Sequence, residues 1–506
     1  MSIFILHKND DVAVAKKALA TGEQLSPDVD VSVATDVPAM HKVALHPIAR
    51  GDGIRKFNQI IGFASQDIAA GEHVHAHNCG FGDIHADYAA CSEASETEMV
   101  PEKERPVFQG YRRASGKTGT RNYLGVLTSV NCSATVARHI AATVEKTGML
   151  DDYPNVDGIV AIVHGRGCGM SGGGDGYDNL QRVLTGYAAH PNFGAVLLVG
   201  LGCEVMQIGD VLRAGKLADS ERFQHLIIQE SGGTKKTIEA GVEAVRRMLP
   251  IINADKRELT PISELTLALQ CGASDAYSGI TANPALGSAV DLLVRNGGTA
   301  ILSETTEIYG AEHLLTRRAA SPEVADALLE RIDWWKDYTA RTGDVIDNNP
   351  SPGNKAGGLT TILEKSLGAQ AKGGTTNLMG VYKYAEPIDQ HGFVIMDSPG
   401  YDPASVTGQV ASGANVICFT TGRGSAFGFK PTPSLKLATN TGLFERQNDD
   451  MDINCGAIAD GAQTLEQSGE EILDRVIATA SGEKTKSEEL GYGDNEFTPW
   501  IIGAML

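Results

Sequence analysis

The chain has 506 residues, enough for two to four domains that each bury a core, so a small disulfide- or metal-stapled fold is excluded. Lys and Arg number 43 against 63 Asp and Glu, a net charge of −20, so no general nucleic-acid or anionic-membrane surface is expected. An anionic ligand has to be drawn in by a local positive cluster.

Residues 1–6 are apolar but run into His7, Lys8, Asn9, Asp10 and Asp11, which reads as neither a signal nor a transit peptide. No apolar stretch reaches the ~20 residues that span a bilayer, so the expected location is the cytoplasm. Eight scattered cysteines then read as thiols or metal ligands rather than disulfides. Up to about Cys91 the sequence is a series of short strand-like pieces (2–7, 43–46, 59–64, 71–78) separated by Gly, Asp and Asn, the pattern of a small β-rich domain. From Ser92 the composition shifts to Ser, Glu, Thr and Lys with Pro101 and Pro106, an exposed linker.

Beyond the linker one unit recurs: an apolar run of strand length, a loop with reactive side chains, then a stretch of helical periodicity. It appears at 124–130 before Asn131 and Cys132, at 158–163 before His164 and Cys168, and at 195–200 before Cys203 and Glu204. Later copies are 265–269 before Cys271, Ser274 and Asp275, 299–302 before Glu304, 393–396 before Asp397, and 416–419 before Thr420, Thr421 and Arg423. This is parallel α/β grammar, and ligands of such sheets bind beyond the carboxyl ends of the strands. The expected division is 1–92, a 93–107 linker, an α/β second domain at 108–255 and an α/β C-terminal domain at 256–506.

Several segments carry chemistry. In Gly71-Glu72-His73-Val74-His75-Ala76-His77-Asn78, strand alternation would put His73, His75 and His77 on one face, placed to share a metal ion; a solvated polar face is the other reading. Cys132, Cys168, Cys203 and Cys271 each follow a strand without CxxC spacing, so any shared metal site must be assembled in space. The run 348–358, with Lys355, lacks the GxxxxGK[ST] spacing of a nucleotide loop and suits a carboxylate or hydroxyl ligand. Arg423, between Gly422 and Gly424 with Lys430 nearby, offers a bidentate carboxylate fork. No dinucleotide fingerprint is present, and Gly-x-Ser-x-Gly at 169–173 lies inside a longer glycine-rich loop, away from a sharp strand-to-helix turn.

Taken together, segments 73–78, 110–122, 164–169, 200–204, 271–284, 308–317, 349–365 and 420–428 resemble the altronate/galactarate dehydratase family, in order and over nearly the whole chain. The most specific are Asn-Pro-Ser-Pro-Gly-Asn-Lys-Ala-Gly-Gly at 349–358 and Ser-Gly-Ile-Thr-Ala-Asn-Pro at 278–284. The resemblance implies an N-terminal β-clip (SAF) domain, a larger α/β catalytic region, and iron(II)-dependent loss of water from a sugar acid. Tyr309-Gly310-Ala311-Glu312-His313-Leu314-Leu315 looks closer to the altronate branch. Galactarate dehydration, a sulfo-lyase acting on a sulfonated hydroxy acid, and a non-catalytic carbohydrate-binding scaffold are the alternatives.

Such a reaction removes the proton next to a carboxylate and expels the following hydroxyl, so positive charge must neutralise the carboxylate. Lys355, Arg423 or a metal ion is expected in that role, and His164 or a lysine as base. Arg121, Asn354, Thr421 and Lys430 are the further expected substrate contacts. The metal ligands expected are His75 and His77, with Cys132, Cys168, Cys203 and Cys271 as alternatives. The ion expected is Fe²⁺, with Mn²⁺ or an iron-sulfur cluster as alternatives. The expected partner is a small sugar acid, with no nucleic acid and no membrane, and a homo-oligomer is left open.

Overall fold

The computed structural model describes residues 2–84 and 86–505. The N-terminal part is β-rich. Ile3–Phe4, Val12–Ala15, Lys42–Ala44 and His73–Val74 make one antiparallel sheet, and Gly53–Lys56, Gln59–Ala64 and Cys79–Gly80 make another. Strands this short cannot enclose a large core, so they bury two small ones, around Leu25 and Val43 and around Ile54 and Ile61. The second core also takes in Ala311 and Leu367 from the C-terminal part.

One hairpin explains the docking. Phe57 and Asn58 both have positive φ, 57° and 58°, the paired left-handed turn that suits a two-residue loop between twisted strands. A bulky residue there is uncommon. Here it carries Phe57 and Lys56 into the C-terminal domain, where they line a small void with Ser278, Gly279 and Glu364.

The segment after Cys91 is exposed over most of its length yet not detached. Glu93 N–H donates to the Arg317 carbonyl, Ser95 N–H to Asn377 Oδ1, and Val100 N–H to the Arg295 carbonyl, so it lies along the C-terminal domain.

The second domain is built on a parallel sheet in the order Gly158–Ile162, Tyr123–Thr128, Phe193–Gly200, Phe223–Ile227. The helices Ala134–Lys146 and Thr234–Asn253 cover one face. Asp175–Ala188 and Ile208–Gly215 cover the other, in a core shared with the C-terminal domain. Gly186 allows a close crossing there, because a Cβ at that position would collide with the Ala411 carbonyl.

The C-terminal domain is a seven-stranded, wholly parallel sheet: Leu378–Tyr382, Gly392–Met396, Thr299–Leu302, Thr266–Cys271, Val416–Thr421, Ser434–Ala438, Ile453–Asn454. Its five inner strands are buried on both sides, which is why most of them read as near-unbroken apolar runs. The helices Ala282–Arg295 and Leu465–Ala480 pack on one face and Asp402–Ala411 on the other. Among the described residues no helix is long and apolar enough to cross a membrane.

Candidate active site

Thr266–Cys271 is the point where the strand order switches, since the chain leaves it towards Thr299–Leu302 on one side and later returns to Val416–Thr421 on the other. The loops at the carboxyl ends diverge at such a point and leave a crevice. A cleft of about 480 Å³ opens there, lined among others by Cys271, Glu307, Asn349, Lys365 and Asp402.

Its floor is a buried cluster of ammonium, carboxyl, amide and thiol groups. Lys365 Nζ lies 2.6 Å from Glu307 Oε1 and 2.9 Å from Asn349 Oδ1, and Asn349 Nδ2 donates to the same Glu307 oxygen at 2.7 Å. Lys372 Nζ lies 2.9 Å from Cys271 Sγ and 3.7 Å from Glu304 Oε2. Glu304 takes a left-handed backbone conformation, φ 63°, stabilised by its N–H donating to Ser398 Oγ at 2.9 Å, and this turns its side chain back into the cluster.

The carboxyl groups are driven apart. Burial and the adjacent Glu307 charge raise Glu304 well above the carboxylate range. Burial works the same way on Glu307, but Lys365 and Lys372 overcome it and hold Glu307 ionised. Burial opposes the charge on Lys365 too, yet Glu307 and Cys271 keep this ammonium protonated. Burial pushes the Cys271 thiol up to about 12. Asp402, at the cleft wall, is pushed up to about 6 by burial and then by Glu307.

The histidine cluster lies beside this region. The expected strand ends at Val74, and a turn follows in which His75 N–H donates to Asn78 Oδ1 and Asn78 Nδ2 to the His73 carbonyl. The ligand atoms of His41, His73 and His75 still come within 4.8 Å of one another. His41 enters from the residue just before the neighbouring strand Lys42–Ala44, its Nδ1 2.9 Å from His73 Nε2. His77 is exposed on the turn, its ring centroid 5.3 Å from that of His73.

Burial, then His41 and His75, push His73 down to about 3, while burial and Lys42 push His75 down to about 4. His73 and His75 are therefore neutral at pH 7, with lone pairs available, and His75 Nδ1 is buried without a hydrogen-bond partner among the described residues. This donor set fits a divalent transition metal. Cys271, Glu304 and Glu307 also come within 4.8 Å, and Glu304 Oε1 is likewise without a partner among the described residues, but Lys365 and Lys372 already supply the positive charge an ion would bring.

The other expected residues are placed as follows. Asn354 faces the cleft from the short helix Pro352–Ala356, where it closes a capping box with Ser351 and donates to the Ser274 carbonyl at 2.9 Å. Lys355, next to it, is half-buried. Arg423 is exposed, and its N–H donates to the carbonyl of Ala273 in the cleft wall. Thr421 is buried and accepts the Gly424 N–H, and Lys430 pairs with Asp494 at 2.9 Å.

Two residues have different tasks from those expected. Every donor of Arg121 is committed: two to Glu488 at 2.6 and 2.7 Å, the rest to the carbonyls of Thr120, Thr479 and Glu483. His164 accepts the Arg166 N–H at Nδ1 and donates from Nε2 to the Thr128 carbonyl at 2.9 Å, so neither nitrogen is free to act as base. His190 repeats this device with Asn192 and Ala414. Burial holds both imidazoles down to about 4. Below the ordinary value near 6.5 the unfolded chain binds protons that the folded one refuses, so stability falls with pH. Urea unfolding at pH 7 and pH 5 is expected to differ by on the order of 2 kcal/mol for each of these two histidines, the lower pH being less stable.

Cys271 is buried in the C-terminal domain, apart from Cys132, Cys168 and Cys203, which are exposed in the second domain. Glu307, Lys365, Lys372, Asp402 and His41 carry much of the geometry, yet none was singled out by the motifs.

Comparison with known proteins agrees with this architecture. Residues 1–81 match the altronate/galactarate dehydratase SAF domain, 110–253 the D-galactarate dehydratase/altronate hydrolase second domain, and 262–505 the D-galactarate/altronate dehydratase C-terminal domain. The chain is 37% identical over 495 residues to altronate dehydratase of Bacillus subtilis (strain 168), covering 97% of each. It is 36% identical over 490 residues to altronate dehydratase of Escherichia coli (strain K12), covering 96% of this chain and 97% of the relative. It is 37% identical over 495 residues to the galactarate dehydratase (L-threo-forming) of Escherichia coli (strain K12), covering 96% and 94%. With three domain matches in order and relatives aligned from end to end, the chain belongs to the altronate/galactarate dehydratase family.

Proposed function

We propose that this protein is a hydro-lyase that removes water from a sugar acid, D-altronate, to give a 2-keto-3-deoxy sugar acid, and that it works in the cytoplasm. The observation that carries the reading is the cleft at the sheet switch point, where the buried Lys365 ammonium and the Asp402 carboxyl near pKa 6 line one space. Elimination needs positive charge for the enolate that develops on the substrate carboxylate, and a base matched to neutral pH. Lys365, held in place by Glu307 and Asn349, meets the first need, and Asp402 the second. Asp402 takes the proton beside the carboxylate; the electron pair forms the carbon-carbon double bond as the neighbouring hydroxyl leaves. The proton on Asp402 then passes to that hydroxyl, and the enol product relaxes to the keto acid. Arg423, beside Ala273, binds the carboxylate as it enters.

A divalent ion, Fe²⁺ with Mn²⁺ as substitute, would be held by His41, His73 and His75 and would supply Lewis-acid polarisation of a substrate oxygen. The 37% identity to a galactarate dehydratase favours galactarate as the second reading. Both are tested by assaying anaerobic protein with Fe²⁺ against altronate, galactarate and a sulfonated hydroxy acid. Turnover of none would overturn the hydro-lyase reading.

Two outcomes are expected alongside. Chelation should abolish activity and added Fe²⁺ restore it, and metal analysis should show loss of the ion in His73→Ala and His75→Ala with little change in His77→Ala. Arg423→Lys keeps the charge but loses the fork. It should raise KM about tenfold or more, with unchanged thermal unfolding, because Arg423 is exposed.

A further inference from the structure

Three thiols that the cleft leaves unused lie at one edge of the second domain. Cys132, Cys168 and Cys203 follow the adjacent parallel strands Tyr123–Thr128, Gly158–Ile162 and Phe193–Gly200, and all three are exposed. By contrast, Cys79, Cys271, Cys418 and Cys455 are buried.

The three loops are bound to one another at the residues next to the thiols. Asn131 N–H donates to the Arg166 carbonyl at 2.8 Å, joining the first loop to the second. Met206 N–H donates to the Gly167 carbonyl at 3.0 Å, joining the third to the second. Buried Glu204 joins the third to the first: it accepts Ser129 Oγ at 2.8 Å, Leu201 N–H at 3.1 Å and Gly202 N–H at 2.6 Å. Gly167, at φ 99°, permits the contact, since a Cβ there would strike the Ser129 carbonyl. His164 fixes the base of the second loop through the Thr128 carbonyl.

These ties hold three thiol-bearing loops together at the carboxyl ends of three adjacent strands, with Gln229 Nε2 placed 3.6 Å from Cys203 Sγ as a donor to sulfur. Neither nitrogen of His164 is free to activate a thiol, which argues against a nucleophilic role. Nor do the three sulfurs all lie within 4.8 Å of one another, as the histidine ligand atoms do, so at least one pair is spaced wider than a single tetrahedral ion uses. Thiolate ligands drawn from separate loops, without CxxC spacing, suit a larger soft group.

We propose that Cys132, Cys168 and Cys203 together hold an iron-sulfur cluster of the four-iron type, three irons bound by these thiolates and the fourth left to solvent or a small oxygen ligand. This site is separate from the histidine cluster and from Cys271, and it goes beyond the hydro-lyase reading.

The test is anaerobic reconstitution of the full chain with Fe²⁺ and sulfide, followed by iron and acid-labile sulfide analysis, visible absorbance and electron paramagnetic resonance of the reduced protein. The expected result is about four iron and four sulfide per chain with a brown chromophore. Cys132→Ser, Cys168→Ser and Cys203→Ser should each lose most of the sulfide and the chromophore while keeping the circular dichroism of the parent. Cys91→Ser should keep the chromophore. Absence of bound sulfide in the parent, retention of the chromophore in all three variants, or binding of one zinc ion by the same thiols in place of the cluster would each overturn the proposal. Sugar-acid turnover measured on the same samples keeps the two readings apart, because a reconstituted parent that turns over substrate but binds no sulfide would sink the cluster and leave the hydro-lyase standing.

Discussion

Replacing Glu364 by Gln is expected to lower folding stability by about 3–5 kcal/mol, a large share of the total for a domain. Glu364 is fully buried and binds two buried ammonium groups at once, Lys42 at 2.8 Å and Lys56 at 2.9 Å, while Thr360 donates to it from N–H and Oγ1. Burial alone would raise its pKa, but the two lysines hold it far below the carboxylate range. The neutral amide leaves both lysines buried without a counter-charge. Urea unfolding measures the loss, and the variant combining Glu364→Leu, Lys42→Met and Lys56→Met should recover most of it, because no buried charge then remains. A Glu364→Gln variant as stable as the parent would show that the triad adds nothing to docking.

The second large effect concerns turnover. Asp402→Asn should reduce kcat about 10²- to 10⁴-fold, the usual contribution of a positioned acid-base group. In the parent, kcat/KM should rise with pH through about 6, since Asp402 carries its proton below that value and cannot accept another. The residual activity of Asp402→Asn should lack this acidic limb. A limb that persists unchanged in the variant would assign the titration to another group.

Much of the fold is legible in the sequence because buried parallel strands appear as short apolar runs ended by polar loops, as in 299–302 and 416–421. The β-rich start is legible from its turn residues. The site was only half visible. Cys271 and Glu304 follow strands and draw notice, but Glu307, Lys365 and Lys372 gain their meaning from contacts made by chain segments 36 to 101 residues from Cys271. Helix Ile362–Gln370 held the one available signal: Glu364 and Lys365 sit between apolar neighbours on a helix buried from Ile362 to Ala369, so neither charge has a solvent face. His164 misled for a local reason. A histidine directly after a strand looks poised for catalysis, yet the same position lets its ring fasten two backbone segments, as His190 does elsewhere.

The adjacency of Glu364 and Lys365 gives the N-terminal domain a role other than carrying histidines. One residue of the helix fastens that domain and the next faces the cleft, so the peptide connection at 92–107 is not what keeps the two together. A chain severed in that stretch still has Lys42 and Lys56 seated on Glu364 and Phe57 lodged beside Gly279. The two pieces would behave as subunits of one enzyme, and a gene encoding them separately would lose little beyond the entropy of a tether.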